Sequence, residues 1–412
     1  MAAWRLPWWA FDGRSWSWVQ ILGKGAGPLL ACVASALGVM AAYLWGWHLV
    51  RKGGGARRIV WAFSVVFAAT LFWLLPITCD LSSYLTKAHL FTDMGANPLI
   101  EAPANYRDHL LLAYPAAYAE QPSIYGPVWS LLSGLGTLGS HDEVAGVFYL
   151  KALAAVAYLG AVWLLERILR QVRPGSAEEM LYLFAWNPLV LFMAIGDGHN
   201  DIVMMALILL AAWFLLRERW GLAFGILMLS AWIKYATLTL LPLFALYAWR
   251  RLEREPQPVR WRALAQAALA SISVTILVFA PFGDVGGVLR IGRRLLQPVN
   301  WQVGGDSLAS GVFGAGVLMF CGAYLVLLVG FIRGRGTFEP LGNAGFAALL
   351  LAFVLGFARS QPWHLIWPAS LAGLADRRWA WPVVVGLSGI LLVVQLWVEW
   401  GMPGVSAWRK GV

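Results

Sequence analysis

Charged residues are scarce in this chain. They occupy 13% of its 412 positions, about half of the roughly 25% that a soluble protein carries. With 60% hydrophobic residues and a mean hydropathy of +0.67, too little polar surface remains to cover a water-soluble particle of this size. A soluble globular domain is excluded. Cysteine is nearly missing as well: Cys32, Cys79 and Cys321 lie far apart, in or beside apolar runs, so neither a disulfide framework nor a zinc site follows. The first 25 residues scatter Trp and Arg without a continuous apolar stretch, and no cleavable signal peptide is expected. There is no repeat of fixed period and no low-complexity linker, so residues 1–412 read as a single integral-membrane domain.

What the chain has instead is apolar runs of membrane-spanning length. They fall at about 28–50, 59–79, 144–166, 180–196, 201–216, 263–283, 313–332, 341–358 and 379–398, with a short one at about 364–376. Residues 221–249 are flanked by Arg217 and Arg219 on one side and by Arg250, Arg251 and Arg254 on the other. If both flanks face the cytoplasm, this stretch is a hairpin of two short helices turning near Lys234 to Thr237. The fold class predicted is all-α and polytopic, with about twelve transmembrane helices. The 25 Trp suit a protein with two wide membrane interfaces.

The net charge of +10 comes in short clusters between the runs: Arg51 to Arg58, Arg167 to Arg173, Arg333 with Arg335, and Arg377 with Arg378. All fall on one side, which the positive-inside tendency makes the cytoplasm. That pattern excludes nucleic acid as a partner and leaves membrane lipids. The chain is then expected in the cytoplasmic (inner) membrane with both termini outside. Two long extracytoplasmic loop regions follow from the count, 80–143 after the second span and 284–312.

Asp80 follows directly on the second run. A carboxylate at the mouth of a membrane helix is partly desolvated, so its pKa is expected to rise, which suits a general base. Continued as a helix, Asp80, Ser83, Tyr84 and Lys87 share one face, and Lys87 would keep the carboxylate ionised or bind a phosphate. The plainer reading is an acid that marks the end of a span in water. Asn187-Pro188-Leu189 through Gly196-Asp197-Gly198-His199-Asn200-Asp201 is the densest polar group in the chain. Its glycines let the backbone approach a ligand closely, and Asn200 or His199 can cap the following helix, whose N-terminus favours an anion. Two acids and a histidine in five residues exceed what a cap needs. A divalent metal is an alternative, although the spacing fits no specific template.

Arg359 and His364 flank Gln361-Pro362-Trp363 and could together hold a phosphate; the alternative is an interfacial Trp with a snorkelling Arg. Lys234 at the hairpin turn would be costly facing lipid and is expected to face a polar cavity. Arg290, Arg293 and Arg294 lie on the outer side against the charge rule and form either a phosphate cradle or a contact to lipid head groups. Glu101, Tyr106, Asp108 and Tyr125-Gly126-Pro127 could line an acceptor site.

Taken in order, these residues resemble a family. Asp80 with Gly95-Ala96-Asn97-Pro98 downstream is similar to the first outer loop of the GT-C superfamily of lipid-phosphate-sugar-dependent glycosyltransferases. Tyr125-Gly126-Pro127, Asn187-Pro188-Leu189 and His199-Asn200-Asp201-Ile202-Val203-Met204 look like the bacterial polyprenol-phosphate-mannose-dependent α-mannosyltransferases within it. Gln361-Pro362-Trp363-His364 resembles the outer turn that meets the donor phosphate. The likeness covers about residues 59–375, and the span at 28–50 lies outside it. Leu99 stands where the family usually has Tyr after the Asn-Pro, and His364 where an aromatic is common.

The resemblance implies an inverting enzyme that moves a sugar, mannose by likeness, from a polyprenyl-phosphate carrier to a glycan or lipid-linked acceptor hydroxyl on the extracytoplasmic face. It makes Asp80 the catalytic base and His364 with Arg359 the donor-phosphate contacts, joined by Lys87, Lys234, Arg290, Arg293 and Arg294. Tyr84, Asn97, Tyr125, Asp197, His199, Asn200 and Asp201 would line the sugar and acceptor. No cofactor is implied, since many members act without a metal. The residues fit this chemistry independently: an anionic leaving group needs cations rather than a general acid, and the acceptor needs one carboxylate. A hydrolase would want two carboxylates flanking the bond, and Asp197 or Asp201 leaves that open. The main rival, a transporter or flippase of a lipid-linked sugar, predicts inverted repeats and polar residues at the midplane.

Overall fold

Apolar runs of this length form helices because hydrocarbon offers the backbone no hydrogen-bond partner, so each segment must satisfy its own N–H and C=O groups. The computed structural model describes residues 25–53, 55–106, 119–139, 142–283, 289–292, 307–334, 337–355 and 361–399, and among them there are helices and no strands. Among the described residues, five helices have the length and apolarity to cross a membrane. They are α1 (Ala26–Lys52), α5 (Glu143–Val172), α11 (Gln257–Phe279), α12 (Ser307–Arg333) and α15 (Arg377–Glu399). Their lipid-compatible faces are bare: Leu30, Val156, Leu277, Leu318 and Val326 are each at least two-thirds exposed, an apolar display that only a membrane accommodates.

The remaining apolar runs are shorter or broken. Asn187 and Pro188 interrupt the run at 180–196, giving α6 (Ala177–Ala185) and α7 (Pro188–Leu191), the latter continuing into a π-turn, Phe192–Gly196; the two halves bend by 51°. α8 (Asp201–Leu216), α9 (Trp220–Ala231), α10 (Leu241–Leu252), α13 (Phe338–Val354) and α14 (Ile366–Ala372) are all under 18 residues. The second apolar run is α2 (Arg57–Phe72), and the long segment after it is no mere loop: it holds α3 (Asp80–Thr92) and α4 (Pro127–Leu135), with α3 buried through Leu90.

The basic clusters do meet at one end. Glu166 holds Arg57 and Arg170, Glu179 holds Arg51 and Arg377, and Glu339 holds Arg173. The hairpin expected at 221–249 is present: α9 runs up, the chain turns at Trp232–Lys234 into a 3-10 turn, Tyr235–Leu240, and α10 returns. Its two feet are joined by Arg251 and Glu218 at 2.7 Å, and Arg250 donates to the carbonyls of Phe331 and Gly334. From that basic end, α9 reaches about 18 Å and α8 about 24 Å, short of the roughly 30 Å hydrocarbon thickness. Their far tips therefore stop inside the protein. That shortfall creates the site.

Candidate active site

The tips of the short helices carry the charges. Asp201 is the first residue of α8 and Asp80 the first of α3, where the partial positive end of a helix favours a carboxylate. Lys234, at the hairpin turn, reaches Asp201 at 2.8 Å, and the Trp367 indole N–H donates to the same carboxylate oxygen. The Lys234 ammonium also lies 5.0 Å from the Trp367 ring and 5.5 Å from the Tyr125 ring. Tyr125 is brought there by Gly126. Its backbone N–H donates to the Ile233 carbonyl, and a Cβ at position 126 would stand 2.2 Å from the Trp232 carbonyl oxygen. Only glycine permits that approach.

His199 lies between two acids. Its Nδ1 is 3.2 Å from Asp80 and its Nε2 is 3.7 Å from Asp197, contacts of ion-pair range without hydrogen-bond alignment. The imidazole stacks on the Trp363 ring at 4.1 Å. Burial alone would lower the histidine pKa, but Asp197 and Asp80 outweigh it and push it up to about 9. For Asp80, burial would raise the pKa as expected from its place at a helix mouth; His199, then Lys234 and Lys87, more than offset this, and its pKa is lowered. The expectation of a raised value is corrected: Lys87 shares its helix, but His199 and Lys234 converge from two other segments and were invisible at the level of that helix. Asp80 is thus ionised and His199 protonated at neutral pH.

The face predicted for α3 holds. The Tyr84 hydroxyl lies 3.5 Å from Asp80 and 3.4 Å from the Tyr125 hydroxyl, and Lys87 donates to Ser83 at 3.3 Å. Asp197 accepts the Ile77 and Thr78 amides. Several atoms around His199 have no hydrogen-bond partner within the protein although they are buried: Asp197 Oδ2, both His199 nitrogens, both amide atoms of Asn200 and Asp201 Oδ2. Buried polar atoms are nearly always satisfied, so these atoms in five residues leave hydrogen-bonding capacity that the protein itself does not fill. Asn200 does not cap α8 through its side chain, nor does His199.

Other candidates are placed elsewhere or differently. The Asn97 amide is spent on the Phe282 carbonyl and the Leu99 N–H, holding its own turn. His364 is buried and packs against Trp367, and its Nδ1 accepts the Gln361 N–H at 3.3 Å, so that nitrogen carries no proton and the ring is not the cation expected for a phosphate. Arg290 is exposed. Glu101 binds Tyr106 and Asn97. Arg293, Arg294, Arg359 and Asp108 lie outside the described residues. Among the described residues no group of three or more His, Cys, Asp or Glu is arranged to hold a metal ion. Two participants escaped the sequence reading. Trp367 looks like any interfacial Trp, and Lys151 is the one cation within the apolar run at 144–166, a signal that was there to be read.

Three comparisons bear on identity. No solved structure matches the chain. It is 25% identical to alpha-(1→6)-mannopyranosyltransferase A of Mycobacterium tuberculosis, over 95% of this chain and 80% of that protein. It is 24% identical to alpha-(1→6)-mannopyranosyltransferase B of Corynebacterium glutamicum, over 80% of this chain and 59% of that protein. A second M. tuberculosis alpha-(1→6)-mannopyranosyltransferase is 25% identical over 74% of this chain and 64% of its own length, so the chain spans under two thirds of two of these three relatives. Residues 2–250, which include Asp80, the 197–201 turn and Lys234, match the family described as alpha-(1→6)-mannopyranosyltransferase, N-terminal domain. With more than half its length matched, the chain belongs to the alpha-(1→6)-mannopyranosyltransferase family of glycosyltransferases.

Proposed function

We propose that the protein transfers a mannosyl residue from a polyprenyl-phosphate carrier to an acceptor hydroxyl, with inversion, on the extracytoplasmic side of the cytoplasmic membrane. The observation that carries this is the buried Asp80–His199–Asp197 group beside Lys234–Asp201, held where membrane helices stop short. With the basic end in the cytoplasm, the opposite end, which holds this group, faces the exterior. The relatives' names supply mannose and the 1→6 linkage.

Asp80 takes the proton from the acceptor hydroxyl as that oxygen forms the new bond to the anomeric carbon, and the bond from that carbon to the lipid phosphate breaks. The phosphate leaves as an anion, so it needs positive charge and no proton. Lys234 and Lys87 are buried cations near Asp80, and Arg359 would add to them. Asn200, Asp201 and Asp197 offer their unpartnered atoms to sugar hydroxyls. A single free base on one side of the sugar yields inversion, whereas retention would require one of the other acids as nucleophile. The reading assigns the leaving-group charge to side chains, so EDTA should leave the rate unchanged.

The test is a purified-protein assay offering polyprenyl-phosphate mannose or a nucleotide-linked mannose with a short mannoside acceptor. Labelled product from the lipid donor alone is expected. Equal use of the nucleotide sugar would overturn the donor assignment, and lipid-sugar translocation without transfer would favour a flippase.

A further inference from the structure

Lys151 lies in the third turn of the 30-residue α5 and is fully buried. A lysine inside a membrane helix is expensive and survives only with a specific partner. Its ammonium donates to two main-chain carbonyls, Leu74 at 2.7 Å and Gly196. Leu74 lies just beyond the C-terminal end of α2, and Gly196 ends the π-turn after α7. Both are the partially negative ends of helical segments. Six residues after Leu74 comes Asp80, and three after Gly196 comes His199. Lys151 therefore ties together the two turns from which the reacting pair projects.

Two further observations make the tie specific. Gly198 has φ +69, and a Cβ there would stand 3.3 Å from Lys151 Cγ, so the lysine stem lies directly beneath the His199 turn. Asp197, the carboxylate whose field reaches Lys151, is also the one on Nε2 of His199, and it accepts the Ile77 and Thr78 amides from the other turn. Cation, acid, imidazole and acid thus follow in sequence: Lys151, Asp197, His199, Asp80.

The geometry points to Lys151 as a positioning residue for the Asp80–His199 pair, fixing both turns and setting the charge on the far side of His199 through Asp197. This rests on Asp80 being the base. A neutral staple such as a hydroxyl could bridge one carbonyl, but only a cationic head group supplies several donors and a charge. The titratable groups around the Asp80–His199 pair are Asp197 against His199, Lys87 from α3 and Lys234 from the hairpin against Asp80, Asp201 paired with Lys234, and the uncharged His364 beside Trp363. Where Lys151 is protonated, removing its charge leaves the acids less stabilised, so the acid limb of the activity profile moves to higher pH.

The experiment compares Lys151→Met, Lys151→Gln and Lys151→Arg in full-length protein in nanodiscs, reading kcat, donor KM and the pH profile. The neutral variants should lose about a hundredfold in kcat, the cost of a misplacement of about 1 Å, with donor KM little changed and the acid limb displaced upward; Lys151→Arg should restore the profile. Lys151→Met combined with Asp197→Asn should be no worse than the worse single change, because the two act as a unit. A kcat loss with an unmoved pH profile, or fully additive losses, would overturn the proposal. So would failure of both neutral variants to fold while Lys151→Arg folds and turns over normally, which would reduce Lys151 to a structural staple. Wild-type turnover in Asp80→Asn would instead remove the reading beneath it, whatever Lys151 does.

Discussion

The two ends of the molecule use the same residue types in opposite ways. At the basic end, Arg51, Arg57, Arg170, Arg251 and Arg377 are each about half exposed and paired with Glu166, Glu179 or Glu218. Water and lipid head groups solvate these arginines, and Glu166 and Glu179 each keep a second arginine when one is lost, so a single pair contributes little. At the other end, Asp80, Asp197, His199, Asp201 and Lys234 are all at least nine-tenths buried. There the desolvation cost is large, and the surrounding groups must return it. They do so incompletely, as the unpartnered atoms of Asp197, Asn200 and Asp201 attest. The first end orients and seals the bundle. The second stores polar capacity for a ligand.

Breaking the buried end should have the largest effect. Lys234→Met leaves Asp201 buried without its ammonium and should destabilise the protein by about 3–5 kcal/mol, read as a fall in Tm in detergent. Gly126→Ala should come next in consequence for the site, since its new methyl meets the backbone carbonyl of Trp232; the hairpin tip must move, and transfer should drop by about a hundredfold in the same assay with little change in expression. The comparison can be sharpened by pH. Because His199 is raised to about 9, above its ordinary value near 6.5, its contribution to stability and to the charged site is complete below about pH 6.5. It is lost as pH rises through about 9, so kcat should fall on that alkaline limb. At the basic end, Arg377→Ala should shift stability by less than about 1 kcal/mol and leave kcat at the wild-type value.

Legibility in the sequence divided along the same line. The membrane class, the hairpin at 221–249 and the common side of the basic clusters were readable because apolar length and arginine flanks are local signals. Asp80 and the 197–201 turn stood out because acids are conspicuous against apolar runs. What escaped depends on segments far apart in the chain. The break at Asn187-Pro188 turned an expected span into a bent pair, although an Asn-Pro step is a known helix start. The lowered pKa of Asp80 needs His199 and Lys234, more than a hundred residues away. Asn97 belongs to the stretch that resembles the family, yet its amide goes to the Leu99 N–H of its own turn and to the distant Phe282 carbonyl, a use that spacing does not reveal. The twelve-span count relied on runs of 16 or 17 residues, and those became the short helices that form the site.

The central claim is that Asp80 is the base. The most direct measurement is transfer from polyprenyl-phosphate mannose by the Asp80→Asn variant, alongside its binding of the same donor. The account predicts donor binding within a few-fold of wild type and transfer lower by about 10²–10⁴-fold. Transfer at the wild-type rate would contradict it.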